Sequence, residues 1–367
     1  MKSVGIITFH ASHNYGSMLE AYALQQTVIR LGHECEIINF RTERQKNFYQ
    51  PFYLSKGFRP KIKALVFPKL AWNDRRKYSL FERFMRDKMI LSECEYHTEE
   101  ELLSAYLDYD AYISGSDQIW NTSCFDFDWS YFLDFVVKGR KIAYAPSMGP
   151  DPEHQIQPGN YAKIAKCLED YDAISVREER TLRFIKKIGV NAALSVSLDP
   201  TLLLERSDWD NIISEKPIIK GEYVFLYTPW YNEDVYKAAE RFAESMDLRV
   251  VVTKSEYPFK WYNNKRFIYY NCVGPLEFIN LIKNSAIIVT SSFHAVVFSL
   301  IYNKSFIILD GIKDSRICNL FQLVGLDVKS NYSYDSLRIN SSDTIGFDTQ
   351  IIPLRNDSLK FLKEALS

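Results

Sequence analysis

The sequence lacks the signals that mark several large classes of protein. There is no CxxC pair and no histidine at zinc-finger spacing. The six cysteines (Cys35, Cys94, Cys124, Cys167, Cys272, Cys318) are scattered along the chain, which argues against a disulfide framework or a structural zinc site and for reduced, mostly buried thiols. GxGxxG, Walker, HExxH and GxSxG patterns are all missing, so nothing points to a bound dinucleotide, a P-loop nucleotide, a zincin or a nucleophile-elbow hydrolase. Neither charge sign dominates: 45 Lys and Arg against 46 Asp and Glu leave a net charge of −1, and no global field calls for nucleic acid. The apolar run Val4 to Phe9 is too short for a signal-peptide core, and no later run approaches the ~18 residues that cross a bilayer. A cytoplasmic protein is expected.

Aromatic side chains, by contrast, are abundant. With 24 Tyr, 24 Phe and 6 Trp they make up 15% of the chain, beside only 14 glycines. Such richness suits cores, sugar-stacking faces and lipid interfaces alike. At ~150 residues per domain the chain has room for roughly two domains.

The residue pattern alternates strand and helix. Val4 to Phe9 is a strand, Met18, Leu19, Ala21, Tyr22, Leu24 and Leu31 recur at helical spacing up to Gly32, and Glu34 to Phe40 is a second strand: one βαβ unit of a parallel sheet. The alternation then breaks. From Lys56 to Lys88, eleven Lys and Arg stand against three acids, a local net charge of +8, interleaved with Phe58, Phe67, Trp72, Tyr78, Phe81 and Phe84. This reads either as a solvated basic face with an apolar underside or as a helical insertion that meets an anionic membrane or polyanionic acceptor. Alternation resumes with strands at 109–114, 141–145 and 172–176 and a helix at 178–188. Pro200 in Leu198-Asp199-Pro200 makes a helix unlikely there and suggests the crossing between domains. A second series runs from the strand at 222–227 to the helix at 315–324, and a last helix covers 357–366. Two Rossmann-like α/β domains facing a cleft are the economical architecture.

In such sheets ligands bind at the carboxyl ends of the strands, and four loops there carry chemistry. In His10 to Ser17, Gly16 permits a tight turn, Ser17 is placed to cap the helix and backbone amides could hold an anion; the bland reading is a tight connection. Ser114 to Asn121 sets Asp117, Gln118 and Trp120 beside Gly115, a kit for gripping a sugar, unless Asp117 caps a helix and Trp120 is core. Arg177 leaves a strand where a guanidinium forks onto carboxylate or phosphate, or simply pairs with Glu178 or Glu179. In Thr290 to Ala295, Ser292 and His294 open a helix whose positive end attracts an anion and disfavours imidazolium; a satisfied structural histidine is the alternative. Asp314-Ser315-Arg316 adds a cation to that edge. Asp126-Phe127-Asp128 has the DxD form of metal-dependent glycosyltransferases, but sits in an aromatic loop and reads better as structure.

Taken in order, ITFHASHNYGSMLEAYALQ, DAYISGSDQIWN, AYAPSMG, DAISVREE, LDPTLLL, GPLEFI and TSSFHAVVFSLIYNKSFI resemble the polysaccharide pyruvyl transferase family over residues 4 to 326. The resemblance implies a GT-B-like fold: residues 1–195 as the acceptor-side Rossmann-like domain with the basic aromatic insertion at about 41–108, 196–345 as the donor-side domain, and 346–367 as a helix packing back across the junction. It also implies transfer of pyruvate from phosphoenolpyruvate onto two hydroxyls of a sugar, usually a 4,6-ketal on galactose or an N-acetylhexosamine in envelope or capsular glycan. By matching position, Arg177, His294 and Arg316, with Ser292, would hold the donor; Ala295 stands where the family commonly has glycine.

On that footing His294 and Asp117 are the expected acid and base, and Asn14, Tyr15, Gly16, Gln118 and Trp120 the acceptor grip. Phosphoenolpyruvate serves as co-substrate with no separate cofactor and no metal. The expected partners are a sugar acceptor, plausibly a lipid-linked oligosaccharide, and the inner membrane face. A nucleotide-sugar glycosyltransferase and a non-catalytic glycan-binding subunit are the competing readings.

Overall fold

The computed structural model describes residues 1–55, 58–253, 264–309, 315–329, 337–340 and 346–367. Lys56 and Asp314 therefore lie outside the described residues. The chain divides into two compact units, one made of 1–71, 81–204 and 353–367, the other of 72–80 and 205–352.

The first unit is built on a seven-stranded sheet: β1 (Ser3–Ile7), β2 (Glu34–Phe40), β3 (Leu91–Tyr96), β4 (Ala111–Asp117), β5 (Arg140–Pro146), β6 (Ala173–Val176) and β7 (Leu194–Val196). Their order is β3-β2-β1-β4-β5-β6-β7 and every pairing is parallel. Local chemistry sets up the first crossover. Asn14 caps helix α1 (Tyr15–Arg30) by accepting from the Gly16 amide, Arg30 faces the negative end of the helix dipole, and Gly32 at φ +90° turns the chain into β2. Asn14, and not Ser17, is thus the cap. The order reverses between β1 and β4, which puts the loop after β1 and the end of β4 at the topological switch point where α/β sheets bind ligands.

The second unit has its own parallel sheet: β8 (Tyr223–Tyr227), β9 (Arg249–Val252), β10 (Phe267–Tyr269), β11 (Ile287–Thr290) and β12 (Ser305–Ile308), ordered β10-β9-β8-β11-β12. Its switch point falls between β8 and β11, just before Ser292 and His294. Each sheet packs its own apolar cluster, Ile7, Ile38, Trp120, Phe132 and Ile174 among others in the first unit, Val224, Val250, Val289 and Ile307 in the second.

Three strands escape the periodicity: β3, β7 and β10 are short edge or near-edge strands with few buried side chains. β4 extends through Asp117 because its ladder with β5 continues to the Asp117–Pro146 pair. Pro200 opens a 3-10 turn, Pro200–Leu202, capped by Asp199. The last helix, Phe347–Leu366, begins ten residues before the expected start and passes through Pro353. The basic region after β2 forms helices α2 (Glu43–Tyr49), α3 (Phe58–Val66) and α4 (Pro68–Lys88). None of the six cysteines forms a disulfide, but only Cys35 and Cys167 are fully buried and Cys94 is exposed, so the thiols are not mostly buried. No described helix is long and apolar enough to cross a membrane.

Gly5 in β1 shows how closely the first sheet is built. A Cβ there would stand 2.6 Å from the ring of Tyr109, which is tethered through its hydroxyl to Glu36 at 2.9 Å. Gly5→Ala is expected to cost about 1–3 kcal/mol as an overpacked core site, measurable as a lower urea midpoint with an unchanged slope.

Candidate functional site

The carboxyl ends of β4, β5, β6 and β7 meet around one guanidinium. Arg177, the residue after β6, is only 3% exposed, and every nitrogen faces a carboxylate. Nε donates to Glu178 at 2.9 Å, Nη1 to Glu20 and to Asp199 at 3.1 Å, and Nη2 lies 3.7 Å from Asp117. All four acids are buried. Each comes from a different place in the chain: Glu20 from the second turn of α1, Asp117 from the end of β4, Glu178 from the residue after Arg177, and Asp199 from the cap of the turn after β7. Asp117 also accepts from Ser17 Oγ, Glu20 from Ser116 Oγ at 3.3 Å, and Asp199 from the Thr201 amide at 3.0 Å.

One cation among four buried carboxylates is electrostatically lopsided, and the excess falls on Glu20. Complete burial, then the nearby charges of Asp199 and Asp117, push its carboxyl well above the ordinary carboxylate range, and the attraction of Arg177 does not offset them. Burial opposes the charge on Arg177, but Glu20, Glu178, Asp199 and Asp117 together keep it cationic.

The backbone beside this cluster is strained. Ser116 (φ +37°), Asp117 (φ +67°) and Ala145 (φ +52°) are left-handed without being glycine, and Ser116 and Ala145 sit between the paired residues Gly115–Tyr144 and Asp117–Pro146 of neighbouring strands. Such conformations cost of order 1–3 kcal/mol each and persist where the surroundings over-determine them. Here Ser17, Arg177 and the Ser147 amide, which donates to Asp117 O at 2.8 Å, fix the kink.

Among the other residues expected to grip an acceptor, Asn14 is exposed at the head of α1, Gly16 supplies the capped amide, and Gln118 is half-buried with its carbonyl accepting from Asn121 at 3.1 Å. Two expectations are corrected. Trp120 is 0% exposed; it stacks on Phe132 and its indole donates to Ser114 Oγ at 3.0 Å, so it is core and offers no face to a sugar. Tyr15 is buried too, the end of a column of rings running Tyr15, Phe81, His13, Tyr49. Beside that column Glu82 receives His13 at 2.8 Å and Arg41 at 2.7 Å. Burial alone would raise the Glu82 carboxyl, but these hydrogen bonds and the Arg41 charge bring it down to about 2. The DxD carboxylates have separate structural duties: Asp126 accepts from Ser12 and Tyr49 at 2.7 and 2.8 Å, and Asp128 caps the turn Trp129–Phe132.

In the second unit, Thr290 Oγ1 donates to Tyr227 O at 2.6 Å and accepts from the Ser292 amide at 2.9 Å, fixing the exit from β11. Ser292 holds the cap position of the buried helix Phe293–Ile301, though its hydroxyl makes no capping bond. His294 lies in the first turn, buried, with its ring edge-to-face on Phe293 at 5.0 Å. The Arg316 guanidinium stands over that same Phe293 ring at 5.4 Å. The other end of the helix is tied by Arg206, which donates to Ile301 O at 2.8 Å.

Position after a strand end thus singled out Arg177 and Asp117, which the fold brings together, and His294, Ser292 and Arg316, which share the second unit. Glu20 and Asp199 were missed, whereas the pairing of Arg177 with Glu178 is the alternative that the sequence offered. The available signals were that Glu20 is the only acid in α1 and that Asp199 belongs to one of the seven quoted motifs.

Two Rossmann-like α/β units, each with polar and charged side chains gathered at its switch point, give the chain a GT-B-like fold. S. aureus MnaA, solved with UDP, is similar over 91% of this chain and 86% of that one, with 14% identity and a TM-score of 0.53. An α-glucosyltransferase solved with UDP and a 13-mer DNA is similar over 100% and 95%, with 10% identity and a TM-score of 0.51. At such identities the likeness establishes the fold alone. No curated protein matches the sequence. The family is settled by its own model: the chain belongs to the polysaccharide pyruvyl transferase family, matched over residues 14–311, and is accordingly a transferase.

Replacing Arg177 by Met strands the four carboxylates and is expected to cost about 3–5 kcal/mol of stability. Glu20→Gln should do the opposite at alkaline pH. A carboxyl raised above its ordinary value of 4.5 stabilises the fold fully below that value and loses its contribution as pH rises toward the folded value. Wild-type thermal midpoints should therefore fall more steeply above about pH 5 than those of E20Q; parallel slopes would show that Glu20 is ionised in the fold.

Proposed function

We propose that this transferase moves the pyruvyl group of phosphoenolpyruvate onto two hydroxyls of one sugar, closing a cyclic ketal in envelope or capsular glycan synthesis. A 4,6-ketal on galactose or an N-acetylhexosamine carried by a lipid-linked oligosaccharide is the form proposed. The observation that carries this reading is the family match, which spans the Arg177 cluster, Ser292 and His294 and ends before Arg316.

In the proposed chemistry the methylene carbon of the enolpyruvyl group gains a proton from His294, leaving an oxocarbenium-like C2. The first sugar hydroxyl bonds to C2 and gives its proton to Asp117. The C2–O bond to phosphate then breaks, and the second hydroxyl closes the ring. Asp117 releases its proton to solvent and His294 takes one back, while the second hydroxyl's proton departs with phosphate, so the step balances with no redox partner and no separate cofactor.

The donor is trianionic or nearly so, and its phosphate and carboxylate call for cations and helix amides. Arg316, Ser292 and the first turn of Phe293–Ile301 supply them within the second unit. An anion reaching Arg177 would compete with four carboxylates already on it; we therefore assign Arg177 to holding Asp117 and Glu20 in place. A neutral polyol suits that acid-rich cluster better than a phosphate does, and Asn14, Gly16 and Gln118 remain the residues proposed to grip the acceptor.

Calorimetric titration of phosphoenolpyruvate tests the donor, with UDP-galactose in parallel. Wild type should bind phosphoenolpyruvate, Arg316→Ala about tenfold or more weakly for the loss of a charged contact. His294→Asn should retain binding while acceptor-dependent phosphate release drops about 10²–10⁴-fold. Saturable UDP-galactose binding with no response to phosphoenolpyruvate would replace pyruvyl transfer with glycosyl transfer.

A further inference from the structure

Helix α3 turns its apolar side outward. Phe58, Ile62, Leu65 and Val66 are 76%, 42%, 81% and 62% exposed, yet at 3.6 residues per turn they fall within about 100° of arc, the width of a stripe that normally faces a core. The same projection puts Lys61 on one border of the stripe and Arg59 on the other, while Lys63 and Ala64 fall on the half-buried side. There Lys63 Nζ lies 5.2 Å over the ring of Phe52, in the 3-10 turn Phe52–Leu54 on which α3 packs. Phe67, 48% exposed, and Lys69 continue the pattern beyond the helix.

Charge selects the occupant. From 56 to 73 there are five Lys and Arg and no Asp or Glu, and isolated exposed apolar residues are common on any protein, whereas a contiguous stripe bordered by bases on both sides is not. A neutral protein groove would account for the apolar stripe but gains little from bases on both flanks. A bilayer surface with anionic headgroups satisfies both at once, since apolar side chains enter the acyl boundary while long basic side chains reach back to the phosphates. At nine residues α3 is too short to cross a bilayer and long enough to lie in its plane.

We propose that α3 is a membrane-surface helix that seats the protein on an anionic bilayer through Phe58, Ile62, Leu65 and Val66, with Arg59, Lys61 and Lys69 on the headgroups. This deepens the lipid-linked acceptor of the preceding reading but is argued from α3 alone. The later triplet Arg75-Arg76-Lys77 is not a uniform basic face: Arg76 stacks over Trp72 at 5.1 Å, and burial lowers the pKa of the Lys77 ammonium.

Flotation of the full-length protein with phosphatidylcholine vesicles, with and without phosphatidylglycerol, tests the proposal without donor or acceptor, so its outcome is independent of whether the enzyme uses phosphoenolpyruvate. Wild type should float with the anionic vesicles at least tenfold more than with phosphatidylcholine alone, and less in high salt. Phe58→Ser/Leu65→Ser and Arg59→Glu/Lys61→Glu should each lose that excess while keeping the wild-type thermal midpoint, because all four side chains are exposed. Failure of wild type to float, or flotation unchanged in both variants, would overturn the proposal. So would concentration-dependent self-association that Phe58→Ser/Leu65→Ser abolishes without any vesicle binding, which would assign the stripe to a second copy of the chain.

Discussion

A single guanidinium in a water-poor setting organises the first unit. Arg177 is the one cation on which α1, the end of β4, the start of the helix after β6 and the turn after β7 all converge through carboxylates. In water such pairs are worth little; inside a fold, the desolvation of each charge makes every partner conditional on the others. The cluster is accordingly a constraint on geometry more than a reservoir of stability. It fixes Asp117 against Ser17 and holds a left-handed backbone that nothing local would favour.

The second unit solves a different problem. Its helix Phe293–Ile301 is buried on all sides, so the orientation of His294 is set by packing and by the anchors at both ends, Thr290 with Ser292 before it and Arg206 after it. Where the first unit gathers acids, this one presents helix amides and Arg316. The two environments differ in sign.

Much of the architecture was legible in the residue pattern. β2, α1 and the helix Pro275–Asn284 lie where periodicity and caps put them, because amphipathic period and glycine or proline punctuation are local properties. The strands that escaped, β3, β7 and β10, are edges whose pairing comes from the sheet and not from their own composition. The same division governs the site. Arg177 and His294 stand just past strand ends, which a sequence displays. Glu20 meets Arg177 across 157 residues, and no local signal announces such a pairing. Trp120 failed for a related reason: a tryptophan after Gly-Ser-Asp-Gln looks the same whether it will face a sugar or Phe132, and only tertiary burial decides.

The first unit is also discontinuous in a way that matters to a growing chain. Its final segment, 353–367, brings Ser358 to the Leu198 amide at 3.0 Å and Arg355 to Leu202 O at 2.8 Å. Those acceptors and donors flank Asp199, so the turn that presents it to Arg177 is finished by residues made after the whole of 205–352. At roughly 5–20 residues per second, translation leaves that turn unbraced for about seven to thirty seconds. The first unit is therefore completed only after the second has been synthesised in full.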